Sequence, residues 1–264
     1  MGVRLLPHVP VRSSAVLAAA ALLIAVEPAL AREPGDPIRL QWIEGDLAGF
    51  TPILSQDGKQ TIGFIEYQQH REGDRLEAVR VARFSDGSSD EDQVEARIGK
   101  TLEAVRGRSI IRDTNGVATV DITIDVAQGH ITGFSGLGKD REEYDEKVEL
   151  PAETYWGPLI VMVVKNFAQN STDDRVVFRS VAPTPKPRVF DLELVRDGNS
   201  VVVRPGGQLD VEKFALRPTI NWLVDPIIQR LVPTTEFYVR TGEPPALARY
   251  EGPRNYAGQE MRLE

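Results

Sequence analysis

From Tyr155 to Phe167 the chain reads Tyr-Trp-Gly-Pro-Leu-Ile-Val-Met-Val-Val-Lys-Asn-Phe, and nine of these thirteen residues are large and apolar. At helical spacing that leaves almost no polar face, so no side of such a helix can meet water without exposing a Val, Ile or Leu. The end signals agree. Pro151 cannot continue a preceding ladder, Thr154 can cap, Pro158 is tolerated in a first turn, and Asn166 and Asn170 suit the exit. Thirteen residues at about 1.5 Å each give roughly 20 Å, short of the about 30 Å of a bilayer core. The stretch therefore predicts one enclosed helix, at about 155–168, and nearly everything else after residue 36 reads as strand.

Hairpin turns are expected at Gln56-Asp57-Gly58-Lys59, at Glu72-Gly73-Asp74 and at Asp113-Thr114-Asn115-Gly116. Val117 to Val126 alternates strictly, with Val120, Ile122, Ile124 and Val126 on one face and Thr119, Asp121, Thr123 and Asp125 on the other. That is the pattern of an antiparallel strand with one buried and one wet face. Gln93 to Arg106 fits either a helix or a strand. Gly138 to Lys147 reads as a charged connector, followed by Val148 to Leu150 and the helix. After the helix, strands are expected at Arg175 to Val181, Arg188 to Val195, Ser200 to Arg204 and Leu209 to Leu216, broken by Asp197-Gly198 and Gly206-Gly207. Pro183 to Pro187 suits a sheet edge or crossover. Asp225-Pro226 suggests a short helix through Leu231, and Thr235 to Val239 with Ala246 to Glu251 a final hairpin. With no internal repeat and no linker composition, the fold class is mainly β: an antiparallel barrel, open or closed, wrapped around one buried central helix.

Residues 1–31 have the form of an export signal. Arg4 and Arg12 make a basic start, Ala15 to Val26 an apolar core, and Ala29-Leu30-Ala31 a small-residue cleavage site. The remaining residues, 32–264, read as a single domain, and cleavage places the protein in the periplasm or outside the cell. The sequence contains no cysteine, so neither a lipoprotein anchor nor a disulfide can form. Taking away a leader with a net charge of +1 moves the formal charge from −8 to −9. An acidic exported chain is a poor partner for nucleic acid. No transmembrane segment is expected after the signal.

Groups that could carry chemistry are few. The run Phe84 to Gln93 is acidic but lacks the register of a calcium loop, and it reads as a solvated turn. Only His70 and His130 lie beyond the leader, both at positions ordinary for exposed histidines. No Gly-x-Ser-x-Gly elbow and no zinc ligand set is present. No catalytic residue, metal or cofactor is assigned. Carboxylate pairs stay open as catalysts, with Trp42, Trp156 and Trp222 able to stack on sugars or to sit in a core or rim.

Several short motifs carry a resemblance. They are Phe84-Ser-Asp-Gly87, Val148-Glu-Leu-Pro151 with Lys165-Asn166, Ala182-Pro-Thr-Pro-Lys-Pro-Arg188, Tyr250-Glu-Gly-Pro253 and Tyr256-Ala-Gly258. Over most of residues 60–264 the chain resembles uncharacterised exported bacterial proteins of a domain-of-unknown-function type. More distantly, it is similar to the half-barrels of periplasmic lipoprotein carriers. The resemblance implies an antiparallel β fold with Gln93 to Arg112 as strand, and it supplies no catalytic residues.

These readings converge on an exported, non-enzymatic envelope protein that binds an apolar, lipid-like small molecule between sheet and helix. The expected lining is Trp156, Met162, Phe178, Leu192, Phe214 and Trp222, with the two tryptophans at the mouth. Two alternatives stand beside it. One is a filled barrel that docks an envelope protein partner; the other is an envelope hydrolase using Asp and Glu.

Overall fold

The computed structural model describes residues 38–170, 173–182, 187–204, 206–219, 234–254 and 259–264. The leader, the expected helix at 225–231 and most of the Pro183 to Pro187 run lie outside them. The elements before the helix are β1 (Ile38–Arg39), β2 (Leu47–Ser55), β3 (Thr61–Glu72), β4 (Arg75–Phe84), β5 (Ser89–Ile98), β6 (Thr101–Arg112), β7 (Ala118–Asp125), β8 (His130–Ser135) and β9 (Glu142–Lys147). Helix α1 (Pro158–Asn170) follows. Then come β10 (Arg175–Ala182), β11 (Arg188–Arg204), β12 (Gly207–Pro218), β13 (Thr235–Arg240), β14 (Ala246–Pro253) and β15 (Glu260–Leu263).

Among the described residues all fifteen strands join one antiparallel sheet, in the order β10-β11-β12-β13-β14-β15-β2-β3-β4-β5-β6-β7-β8-β9, with β1 on β6. The short β15 pairs with both β14 and β2 and so joins the two halves of the chain. The end strands β9 and β10 do not pair with each other, so the ladder is open. The segment leading into α1 lies between β6 and β10: Ala104 N–H donates to Ala152 C=O, and Tyr155 N–H to Arg179 C=O, both at 2.8 Å.

The helix is buried as its composition demands. Leu159, Val163 and Val164 are 0% exposed, and they share one core with Ile122 and Ile124 of β7 and Phe178 and Phe214 of β10 and β12. Polar groups hold its outer end. Asn166 Oδ1 accepts the backbone N–H of both Gln41 and Trp42 at 2.9 Å, and Lys165 pairs with Glu44. The helix starts at Pro158 rather than Tyr155. Tyr155 N–H is committed to β10, and Gly157 at φ +50 turns the chain into the first helical residue. Among the described residues no helix is long and apolar enough to cross a membrane.

One open reading is closed and two expectations need correction. The ambiguous run from Gln93 is strand: β5 and β6 form a hairpin from Ser89↔Arg112 to Ile98↔Leu102. Asp197-Gly198 is not a turn but a bulge inside the 17-residue β11, where register passes from Arg196↔Phe214 to Asn199↔Glu212. A bulge bends a strand without reversing it, and sequence alone does not separate the two. The charged connector contains β9. An end strand tolerates such charge, because only Tyr144 faces the core. Glu260–Leu263 forms β15, anchored by Met261 against Ile53, Ile65 and Ala82.

Candidate functional site

A cavity of about 590 Å³ lies against one side of α1. Between Pro158 and Ala168 every residue is buried except the half-buried Ile160 and Val161, and these two form the cavity floor with Met162. Ile65 and Ile110 from β3 and β6, Leu192 and Leu216 from β11 and β12, and Phe237 and Leu247 from β13 and β14 complete a mainly apolar wall.

One part of that wall is ionic, and its source is the acidic run that the sequence presents as a solvated turn. Ser88, Asp90, Asp92, Val94, Ala96 and Ile98 are all buried, so strict alternation places both aspartates on the inward face of β5. Asp90 is 5% exposed and Asp92 8%. Arg254 grips both oxygens of Asp90, at 2.9 and 2.7 Å. Arg80 donates to Asp92 Oδ2, and Ser109 Oγ donates to Asp92 Oδ1 at 2.6 Å. Burial works against the Arg80 charge, but the Asp92 and Asp90 carboxylates outweigh it and hold its pKa above the ordinary arginine value. A second ionic contact, Lys165 with Glu44, borders the cavity beside Tyr67. Burial, then the Glu44 carboxylate, push the Tyr67 phenol well above its ordinary range.

Trp156 is 2% exposed and belongs to the wall, not to a mouth with one wet edge. Its indole lies on the backbone of β6. A Cβ at Gly107 would stand 2.6 Å from Trp156 Cζ2, so this packing requires glycine there. A Cβ at Gly157 would likewise sit 3.1 Å from Asp92 Cβ. Met162 and Leu192 also line the cavity. Phe178 and Phe214 do not; both are 0% exposed, edge-on to Tyr155 and Phe167 with ring centroids 5.8 Å apart. Trp222 lies outside the described residues. Sequence reasoning missed Arg80, Asp90, Asp92 and Arg254. The parity that Asp90 and Asp92 share with Val94, Ala96 and Ile98 was the available signal.

Neither histidine borders the cavity. His70 Nδ1 lies 3.0 Å from Asp46 and His130 Nε2 2.6 Å from Asp145, each pair at the surface. Among the described residues no group of three or more His, Asp or Glu side chains could hold a metal ion.

No protein-family model matches the chain, and no curated protein does. Among solved structures, the chain is similar to a β-barrel-like protein of a domain of unknown function, DUF1849, from Brucella abortus. Identity is 9%, the match covers 86% of this chain and 96% of that one, and the TM-score is 0.49.

Proposed function

We propose that this is an exported, non-enzymatic envelope protein that holds an apolar, lipid-like ligand in the cavity beside α1. The carrying observation is the cavity: about 590 Å³ of space walled mainly by Ile, Val, Leu, Met and Phe. Its volume falls within the range of small-molecule sites. A buried acyl chain gains about 0.8 kcal/mol per methylene, so ten methylenes offset the ordering cost of binding.

The charged groups of the wall support binding over hydrolysis. A carboxylate pair acting on a glycoside needs one partner to hold a proton as general acid, which a paired guanidinium opposes by favouring the ionised form. Here all four oxygens of Asp90 and Asp92 already carry a donor from Arg254, Arg80 or Ser109. The test is organic extraction of the purified protein followed by mass spectrometry, together with titration by an apolar fluorophore. A co-purifying lipid or saturable fluorophore binding is expected. Protein without extractable lipid and without fluorophore binding would leave the filled, partner-docking barrel as the better reading.

A further inference from the structure

Four polar residues stand side by side across the inner face of the sheet. In register, Tyr67 of β3 pairs with Arg80 of β4, Arg80 with Asp92 of β5, and Asp92 with Ser109 of β6. All four line the cavity. Most of their hydrogen-bonding capacity is used within the wall. Tyr67 donates its phenol proton to Gln69 Oε1 at 2.8 Å, Ser109 Oγ donates to one oxygen of Asp92, and Arg80 Nη2 donates to the other.

Arg80 is the exception. Among the described residues its Nε and Nη1 have no acceptor, whereas Arg254, the other arginine of the cluster, uses all three nitrogens on Asp90 and Ser88. Position 80 has the inward parity of the buried Leu76, Ala78 and Ala82, yet 28% of the Arg80 side chain is uncovered. That surface faces the cavity rather than bulk water, because desolvation is the largest single influence on the Arg80 charge. A guanidinium only donates, so spare N–H groups in an enclosed apolar space call for an acceptor.

The charge balance restricts what that acceptor is. Arg80 is paired with Asp92 and Arg254 with Asp90, so the cluster is neutral by itself. A carboxylate or phosphate head would bring a further buried charge with no counter-ion of its own. A carbonyl oxygen avoids that cost and still gains a charge-assisted hydrogen bond. Given the ligand-binding reading above, on which this depends, we infer that Arg80 receives the carbonyl oxygen of an uncharged acyl head, an ester or an amide. The apolar tail then lies along Ile160 and Val161.

Calorimetric titration of the purified protein compares three single-chain compounds of equal tail length: monolauroylglycerol, its ether analogue without the carbonyl, and laurate. At neutral pH the ester should bind about tenfold tighter than the ether, and tighter than laurate. Arg80→Met combined with Asp92→Asn removes the cation and its partner together. That protein should still bind the ether, which shows its cavity to be intact, and should lose the advantage of the ester. Arg108→Met with Asp121→Asn, the same change at a surface pair, should keep it. Equal binding of ester and ether by the parent protein overturns the carbonyl contact and leaves the cavity reading standing. Tighter binding of laurate overturns the uncharged head, and an ester preference that survives in the Arg80 variant overturns the assignment to Arg80. No binding of any of the three overturns the cavity reading as well.

Discussion

Arg254 clamps Asp90 from 164 residues away, with Nε 2.9 Å from one carboxylate oxygen and Nη2 2.7 Å from the other. The remaining nitrogen donates to Ser88 Oγ at 2.9 Å, and the guanidinium lies 3.6 Å from the centre of the Phe84 ring. One side chain from the connection between β14 and β15 thereby fixes the turn that opens β5. Because Asp90 is 5% exposed, water cannot take over if the arginine is removed.

Arg254→Ala should therefore lower stability by about 3–5 kcal/mol, the cost of stranding a buried charge. Replacing both partners, as Asp90→Leu with Arg254→Leu, strands nothing and should cost much less than the single change. Urea denaturation of the three proteins measures both numbers. A single variant unfolding at the parent midpoint would mean that Asp90 is hydrated and the clamp is incidental.

The elements legible in the sequence are those whose physics is local. Val120, Ile122 and Ile124 alternate without interruption and are buried as a strand face, and the run from Leu159 to Phe167 could only be enclosed. The β5 acids were misread for the opposite reason. Eight of the ten residues from Phe84 to Gln93 are small or acidic, which is loop composition. Their burial depends on Arg80 and Arg254, partners that only tertiary pairing supplies. Asp197-Gly198 failed in a related way, since turn and bulge use the same residues and the partner strand decides between them. The cavity lining was legible at Trp156 and Met162, in α1 or its immediate lead, and at Leu192 of β11. The contributions of β2, β3 and β14 depend on β15 joining the ends of the chain, and nothing local announces that.

Gly107→Ala tests how tightly Trp156 is held. The added methyl would stand 2.4 Å from Gln93 O and 2.6 Å from Trp156 Cζ2, and backbone on the β5 side cannot yield. The indole must shift, at a cost of about 1–3 kcal/mol for an overpacked site. Tryptophan fluorescence should move to longer wavelength as the melting temperature falls. A variant with the parent spectrum and melting point would place the indole elsewhere.

Alkaline pH should destabilise the protein before all its phenols have ionised. Tyr250, in the cavity wall, and Tyr238 are each pushed up to about 12, chiefly by burial, with Glu236 adding to the effect at Tyr238. In the unfolded chain both ionise near the ordinary tyrosine value of 10.0. The folded state holds the proton longer, so this contribution is fully present below pH 10 and is lost as pH rises through about 12. Melting temperature should fall across that window, and the ultraviolet difference spectrum should show a late-titrating fraction of tyrosine. Complete titration in one step near pH 10.0 would contradict the burial of these two rings.

Two valines one helical half-turn apart should respond to the same substitution with opposite results. Val163 is 0% exposed and enclosed by packed side chains, so Val163→Phe forces neighbours off their preferred rotamers at about 1–3 kcal/mol. Val161 faces the cavity of about 590 Å³, where a phenyl ring meets empty space rather than atoms. Surfaces lining a void lack dispersion partners, so filling part of it should leave stability unchanged or raise it by about 1 kcal/mol. The same ring takes up room a ligand would use, and Val161→Phe should therefore weaken binding of an apolar fluorophore as it keeps or raises the melting temperature. Calorimetry and fluorescence titration on the two variants read both effects. Equal destabilisation by the two substitutions would show that the space beside Val161 closes in solution, and the cavity would no longer support a bound lipid.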